Sequence, residues 1–252
     1  MTCYLFSIEG NIGSGKSTFI KYLKDKFQTI SGYKVIYLSE PVKEWVEIKD
    51  AENETILEKF YKDQKRYSFA FQMMAYISRI NQLMETIEEM KQKNKDCIIV
   101  TERSVYTDKN VFAKMLYDDG KIESVEYQIY LKWFNSFTKN IQIFGIVYLC
   151  ADTKVCEERI TKRNREGEKM SFDYLNNCNL YHNKWLLSDG NRDNIHLINA
   201  NTDYEGLPPK DWIKQTLLYI KSKISKSLSQ HDMSGNKCDE DTYNIVLDTH
   251  GC

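Results

Sequence analysis

Residues 10–17, GNIGSGKS, match the pattern GxxxxGK[ST] without a mismatch. They directly follow an apolar, strand-like run and directly precede an amphipathic one, the context in which such a loop wraps a polyphosphate. The glycines let consecutive backbone amides turn inward, and the following helix adds the partial positive charge of its N-terminus. Lys16 can reach the β and γ phosphates, and Ser17 offers a hydroxyl to Mg²⁺. The loop, residues 9–18, is thus expected to hold a phosphate donor through Asn11, Ile12, Gly13, Ser14, Gly15, Lys16, Ser17 and Thr18.

Phosphoryl chemistry also needs a group to orient or deprotonate the nucleophile, and cations to balance charge on the transferring group. Two carboxylates stand where apolar β-like runs end, Glu40 in LSEPVKEW and Glu102 in IIVTERS. A carboxylate in such a place can take the proton of an attacking hydroxyl or hold Mg²⁺ through water. Positive charge is concentrated in CEERITKRNR, where Arg159, Lys162, Arg163 and Arg165 precede Glu166-Gly167-Glu168. The segment reads as a helix breaking into a loop, which suits a lid over 159–170 that closes guanidinium groups onto donor phosphates.

The elements that must position these groups follow from periodicity. Short β-like runs are Tyr4 to Ile8, Lys34 to Leu38, Cys97 to Val100, Phe144 to Leu149 and His196 to Ile198. Between them lie segments with apolar residues every three or four positions, such as Leu57 to Lys91. The alternation predicts an α/β fold, a five-stranded parallel sheet with helices on both faces. Ligands collect beyond the carboxyl ends of such strands, where the loop, Glu40 and Glu102 fall. Pro208-Pro209 precedes a last amphipathic helix, predicted over Lys210 to Lys226. The chain reads as one domain over 1–226 and a polar, aperiodic tail over 227–252 that is expected to be flexible.

Composition excludes several classes. Over 252 residues, 35 basic and 36 acidic side chains nearly cancel, leaving no long-range field to attract nucleic acid or an anionic membrane. The seven cysteines are scattered, with no CxxC pair or Cys/His cluster of metal-ligand spacing, and read as reduced thiols. No stretch approaches roughly 18 apolar residues, and the first residues lack a basic segment followed by a long apolar one; a cytoplasmic location is expected. A GTPase would need a guanine-selecting NKxD at a strand end. A motor or AAA-type enzyme would need an apolar strand ending in paired acids, and Asp118-Asp119 ends no such strand. A small-molecule kinase remains.

Together with the loop, SEPVKEW, RYSFAFQMMAYISRI, TERSVYTDKNVFAKMLYDDG and YLCADTKVCEERITKRNREGEKMSFDYLNNCNLYHNKWL resemble, in order, the motifs of the deoxynucleoside kinase family, from about Tyr4 to Tyr204. The resemblance implies a P-loop kinase fold and transfer of a phosphoryl group from ATP, with Mg²⁺, to the 5′-hydroxyl of a 2′-deoxyribonucleoside. It alone suggests a homodimer built on a helix bundle. By motif position, Glu40 corresponds to the general base, Arg103 to the arginine that contacts both that base and the hydroxyl, and Glu102 to the acid that helps hold Mg²⁺. Arg163 and Arg165 occupy the lid positions that stabilise the transferring group, and Arg159 the one that stacks on the donor adenine. Tyr61 and Glu168 align with the pair that binds the sugar 3′-hydroxyl. Gly167 replaces one of two adjacent lid glutamates, so Glu166 is the other candidate.

Gln72 aligns with the amide that reads the base edge, and its paired donor and acceptor suit a nucleobase. Trp45, Phe60 and Phe112 match the pocket walls. Specificity in the family turns on the positions of Ala75, Arg79 and Asp108. This set resembles deoxycytidine and purine-deoxynucleoside kinases rather than thymidine kinases, in which apolar residues leave room for the 5-methyl group. A buried pairing of Arg79 with Asp108 is expected, since neither charge is tolerable alone. Gln64 and Tyr67 depart from the Pro and Trp usual in the family, and the long insertion of vertebrate deoxycytidine kinase before Tyr61 is missing, but no catalytic group is lost. Two rivals stand beside this reading. A nucleoside monophosphate kinase needs an acceptor-phosphate arginine, for which Arg79 or Arg66 could be mistaken, whereas Tyr61, Gln72 and Glu168 suit an uncharged sugar and base; a non-catalytic relative should have lost Lys16, Glu40 or the lid arginines.

Overall fold

Every residue of Cys3–Glu9, strand β1, is buried, as an apolar run requires when helices cover both faces of its sheet. The computed structural model describes residues 1–164, 170–188, 194–202 and 207–234. From β1 the phosphate loop leads into helix α1, Lys16–Lys26, then strands β2, Thr29–Ile30, and β3, Tyr33–Leu38. Helices α2, Val42–Glu47, α3, Ile56–Lys62, and α4, Gln64–Gln92, precede strand β4, Cys97–Glu102. Then come α5, Val105–Thr107, a π-helical segment over Asp108–Ala113, α6, Lys114–Asp118, and α7, Ser124–Phe137. Strand β5, Gly145–Cys150, helices α8, Thr153–Arg163, and α9, Phe172–Leu186, strand β6, Ile195–Asn199, and α10, Lys210–Ser234, follow.

The sheet order is β2-β3-β4-β1-β5-β6. From β3 to β6 every pairing is parallel, with Cys97 opposite both Cys3 and Lys34, Gly145 opposite Phe6, and Ile195 opposite Ile146. These are the expected strands. The five-stranded count needs one correction, because β2 adds a short antiparallel edge against β3. Ser31 and Gly32, both at positive φ (50° and 84°), close that hairpin, the turn geometry whose twist matches the strands. A strand of Thr29–Ile30 is too short to show alternation, so only the Ser-Gly pair announces it.

Helices cover both faces, as expected. On one, Phe19, Ile20 and Leu23 of α1 share a core with Trp212, Ile220 and Ile224 of α10. On the other, Tyr76, Ile80 and Leu83 of α4 pack with Tyr130 and Phe134 of α7. A third cluster, with Trp45, Phe60, Phe71, Val111 and Met115, joins α2, α3 and α4 to the π-helical segment and α6.

The last helix also needs correction: it is predicted to end at Lys226 but reaches Ser234. Ile220, Ile224 and Ser227 continue its buried stripe, so residues 227–234 of the expected tail are helical. Residues 235–252 lie outside the described residues. Among those described, no helix is long and apolar enough to cross a membrane.

Candidate active site

The phosphate loop is bracketed before any ligand enters it. Gly13 has φ 81°, and a Cβ there would stand 2.4 Å from the Cys156 carbonyl oxygen, so only glycine lets the loop pack against α8. Asn11 is turned inward: its amide donates to the Leu175 carbonyl at 3.0 Å and its side-chain oxygen accepts from the Ile12 N–H at 2.8 Å. Its backbone oxygen accepts from Lys16 Nζ at 2.7 Å. Lys16 is only 4% exposed. Burial pulls its ammonium down to about 7, Arg103 adds to the fall, and Glu102 and Glu40 oppose it.

Ser17 Oγ donates to Glu102 Oε1 at 2.5 Å. One hydroxyl and one carboxylate make a hard oxygen pair, the donor type Mg²⁺ takes when phosphate and water complete its shell. Among the described residues no group of three or more His, Cys, Asp or Glu could hold a metal.

Beyond β3 and β4 lies a buried charge network. Glu40 accepts from Arg103 Nη1 at 2.7 Å and from Arg79 Nη2 at 3.0 Å. Arg79 also donates from Nε to Asp108 at 2.9 Å and from Nη1 to the Glu102 carbonyl at 2.8 Å. Burial alone would push Glu40 up, but Arg103, Arg79 and Lys16 together hold it down at about 2. Asp108 is the reverse case: burial pushes its carboxyl up to about 6, against the pull of Arg79. Asp108 and Phe112 both sit on the π-helical segment, a geometry often found where a helix serves a site. Arg103 lies over the Phe112 ring at 5.2 Å, and its Nε and Nη2 are buried without hydrogen-bond partners.

A cavity of about 990 Å³ connects Lys16 and Ser17 at one end with Gln72 and Asp108 at the other. Gln72 is 2% exposed and its Oε1 has no hydrogen-bond partner. Trp45 and Phe60 form aromatic walls, tied together by Phe71, which stacks on Phe60 at 4.6 Å and meets Trp45 edge-on at 5.4 Å. Trp45 is fixed in turn by its Nε1–H, which donates to Ser78 at 2.9 Å. From α8, Arg159 donates to the carbonyls of Ala200 at 2.9 Å and Thr202 at 2.8 Å. That guanidinium joins the helix to the chain after β6.

The model of the deoxynucleoside kinase family matches residues 6–220. The chain belongs to that family. It is 32% identical over 222 residues to a mitochondrial deoxyguanosine kinase of Xenopus laevis, covering 79% of this chain and 82% of the relative. A deoxycytidine kinase 2 of Gallus gallus is 31% identical over 245 residues, 86% of this chain and 88% of the relative. A deoxycytidine kinase of Homo sapiens is 32% identical over 198 residues, 72% and 74% of the two chains. The enzyme is therefore a deoxynucleoside kinase of P-loop fold that draws its phosphoryl group from a nucleoside triphosphate.

In this deoxynucleoside kinase one cavity gathers Ile12, Gly13, Gly15, Lys16, Ser17, Thr18, Glu40, Trp45, Phe60, Tyr61, Gln72, Ala75, Arg79, Glu102, Arg103, Asp108, Phe112, Arg159 and Arg163. Asn11 and Ser14 are buried behind the loop rather than lining the cavity. Arg165, Glu166 and Glu168 fall outside the described residues. Sequence reasoning passed over Phe71 and Tyr174, which also line the cavity, Tyr174 edge-on to Tyr61 at 6.4 Å. Phe71 could have been found as the neighbour of Gln72 on α4, whereas nothing local separates Tyr174 from an ordinary core aromatic. Glu9 was passed over too, although a carboxylate closing a central strand is rare enough to be a signal.

Proposed function

We propose that this kinase phosphorylates the 5′-hydroxyl of deoxycytidine or a purine deoxynucleoside in preference to thymidine, using ATP and Mg²⁺. The observation that carries the acceptor is the buried, unpartnered Oε1 of Gln72. An orphaned buried acceptor is costly, and a nucleobase edge supplies the donor it lacks. Beside it the Arg79–Asp108 pair presents fixed polar atoms. A 5-methyl group set against that pair would desolvate it without replacing any hydrogen bond. The names of the three relatives, deoxyguanosine and deoxycytidine kinases, favour the same choice.

Glu40, kept ionised by Arg103 and Arg79, is the general base, and the open Nε and Nη2 donors of Arg103 hold the acceptor hydroxyl. Lys16 faces the donor phosphates. Ser17 and Glu102 would hold Mg²⁺, whose charge offsets that of the β and γ oxygens. Arg163, with Arg165 by motif position, steadies the transferring group from the lid. Arg159 lies against the donor adenine, and Tyr61 with Glu168 binds the 3′-hydroxyl. An acceptor that already carries phosphate is disfavoured. Arg79 is committed to Glu40, Asp108 and the Glu102 carbonyl, while Arg66 lies over the Tyr67 ring at 5.2 Å and does not line the cavity.

Purified protein given ATP and Mg²⁺, assayed in parallel with each common deoxynucleoside and deoxynucleoside monophosphate, tests this reading. Deoxycytidine or a purine deoxynucleoside should turn over faster than thymidine. Phosphorylation of monophosphates alone would overturn the acceptor assignment.

We also infer a homodimer. Val125, Ile129, Trp133 and Phe137 recur at i, i+4 along α7 and are exposed, as are Ile77 and Met84 on the adjacent α4. A second copy that lays the same two helices against them would bury this stripe in a four-helix bundle. Light scattering should give twice the chain mass for the wild type and the monomer mass for Ile129→Glu/Trp133→Glu. A monomeric wild type at micromolar concentration would refute the dimer.

A further inference from the structure

Glu9 closes β1, is 0% exposed and does not line the cavity. Both of its oxygens are nevertheless taken: Ser104 Oγ donates to Oε1 at 2.8 Å, and Thr107 Oγ1 donates to Oε2 at 2.5 Å. These donors lie one and four residues after Arg103, whose φ of 60° puts a non-glycine residue in the left-handed region. An arginine has no local hydrogen bond to favour that conformation, so its surroundings must hold it there.

On one side the hold is the sheet, where the Arg103 N–H donates to the Ile8 carbonyl at 3.0 Å. On the other it is the start of α5, where the Thr107 N–H donates to the Ser104 carbonyl at 3.0 Å and Thr107 Oγ1 accepts from the Ser104 N–H at 3.2 Å. Glu9 connects the two sides. It follows Ile8 directly on β1, and its carboxyl group fastens the hydroxyls that open α5. This turn carries Arg103, whose Nη1 donates to Glu40 at 2.7 Å.

We propose that Glu9 is a positioning residue for phosphoryl transfer. It fixes the turn after β4, the turn aims Arg103, and Arg103 holds Glu40 and the acceptor hydroxyl. This rests on the roles given above to Arg103 and Glu40. Without the Glu9 carboxylate, Ser104 and Thr107 lose their shared acceptor and Arg103 can return to ordinary backbone geometry, carrying its guanidinium away from Glu40.

The test is a kinetic cycle with Glu9→Gln, which keeps the shape but removes one of the two acceptor oxygens, combined with Arg103→Lys. Glu9→Gln should lower kcat at least tenfold while KM for ATP stays within twofold. On the Arg103→Lys background the same change should cost less than twofold, because residues acting through one another are not additive. Should Glu9→Gln fail to fold, Thr107→Val should show the same kcat loss and the same cancellation, with Thr107→Ser restoring turnover. Wild-type kcat in Glu9→Gln, a loss that multiplies in full with Arg103→Lys, or a rise in KM for ATP at unchanged kcat would overturn the proposal. Full turnover in Arg103→Lys would instead remove the underlying role of Arg103, so the two failures are distinguishable.

Discussion

Glu40→Gln is expected to lower kcat a hundredfold or more with its best nucleoside, about 2.7 kcal/mol of lost transition-state stabilisation. The amide fills the same space but cannot take the proton of the acceptor hydroxyl. The fold should survive, because Arg79 keeps Asp108 and the Glu102 carbonyl as acceptors and only part of the network is lost. In the wild type the carboxyl is held at about 2 by the two guanidinium groups and Lys16 in spite of burial. Its folded value lies below the ordinary one, so its contribution to stability is present above about 4.5 and lost as pH falls from there toward about 2. The carboxylate is thus ionised throughout the neutral range, and turnover should not decline on its account between pH 8 and about 5. Steady-state rates of the purified variant decide the matter. Turnover near that of the wild type would remove Glu40 from the role of base.

Lys16→Ala should also cost a hundredfold or more, here in kcat/KM for the triphosphate. Lys16 makes a further, sharper expectation possible. Burial holds it near 7, against an ordinary value of 10.5, so at pH 8 it is largely neutral. A polyphosphate beside it favours the charged form, and binding of ATP at that pH should therefore take up a proton, with affinity weakening as pH rises above about 7. For folding, the sign is opposite. The unfolded chain binds the extra proton between about 7 and 10.5, so stability from this group rises with pH across that window. Calorimetry at pH 8 in buffers of different ionisation enthalpy reads the uptake directly, and its absence in the wild type would contradict this account of the lysine.

Much of this was visible in the bare chain, for a physical reason. The phosphate loop, Glu40, Glu102 and Arg103 all occupy strand ends, and strand ends are marked locally by an apolar run that stops. The Arg79–Asp108 pair was legible only by resemblance, because residues 29 positions apart meet through the packing of α4 on the π-helical segment, which no periodicity encodes. The direction of the Asn11 side chain was not legible, because the motif gives residue types and not side-chain direction; the partner that turns it inward, Leu175, lies on α9. The predicted end of α10 falls too early because the polar run SLSQHD after Lys226 suggests solvent, whereas Ser227 stays on the buried stripe. Glu9 shows the same limit from the other side, since its meaning depends on two hydroxyls nearly a hundred residues away.

Arg79 serves Asp108, Glu40 and the Glu102 carbonyl with one side chain, which constrains how this enzyme could diverge. Exchanging Arg79 and Asp108 for apolar residues, the route to a roomier base pocket, would strip Glu40 of one of its two guanidinium partners. Changing only one of them would strand a buried charge at a cost of about 3–5 kcal/mol. On the roles proposed above, substrate choice and chemistry are epistatic here: replacing the pair leaves Glu40 with Arg103 as its remaining guanidinium partner.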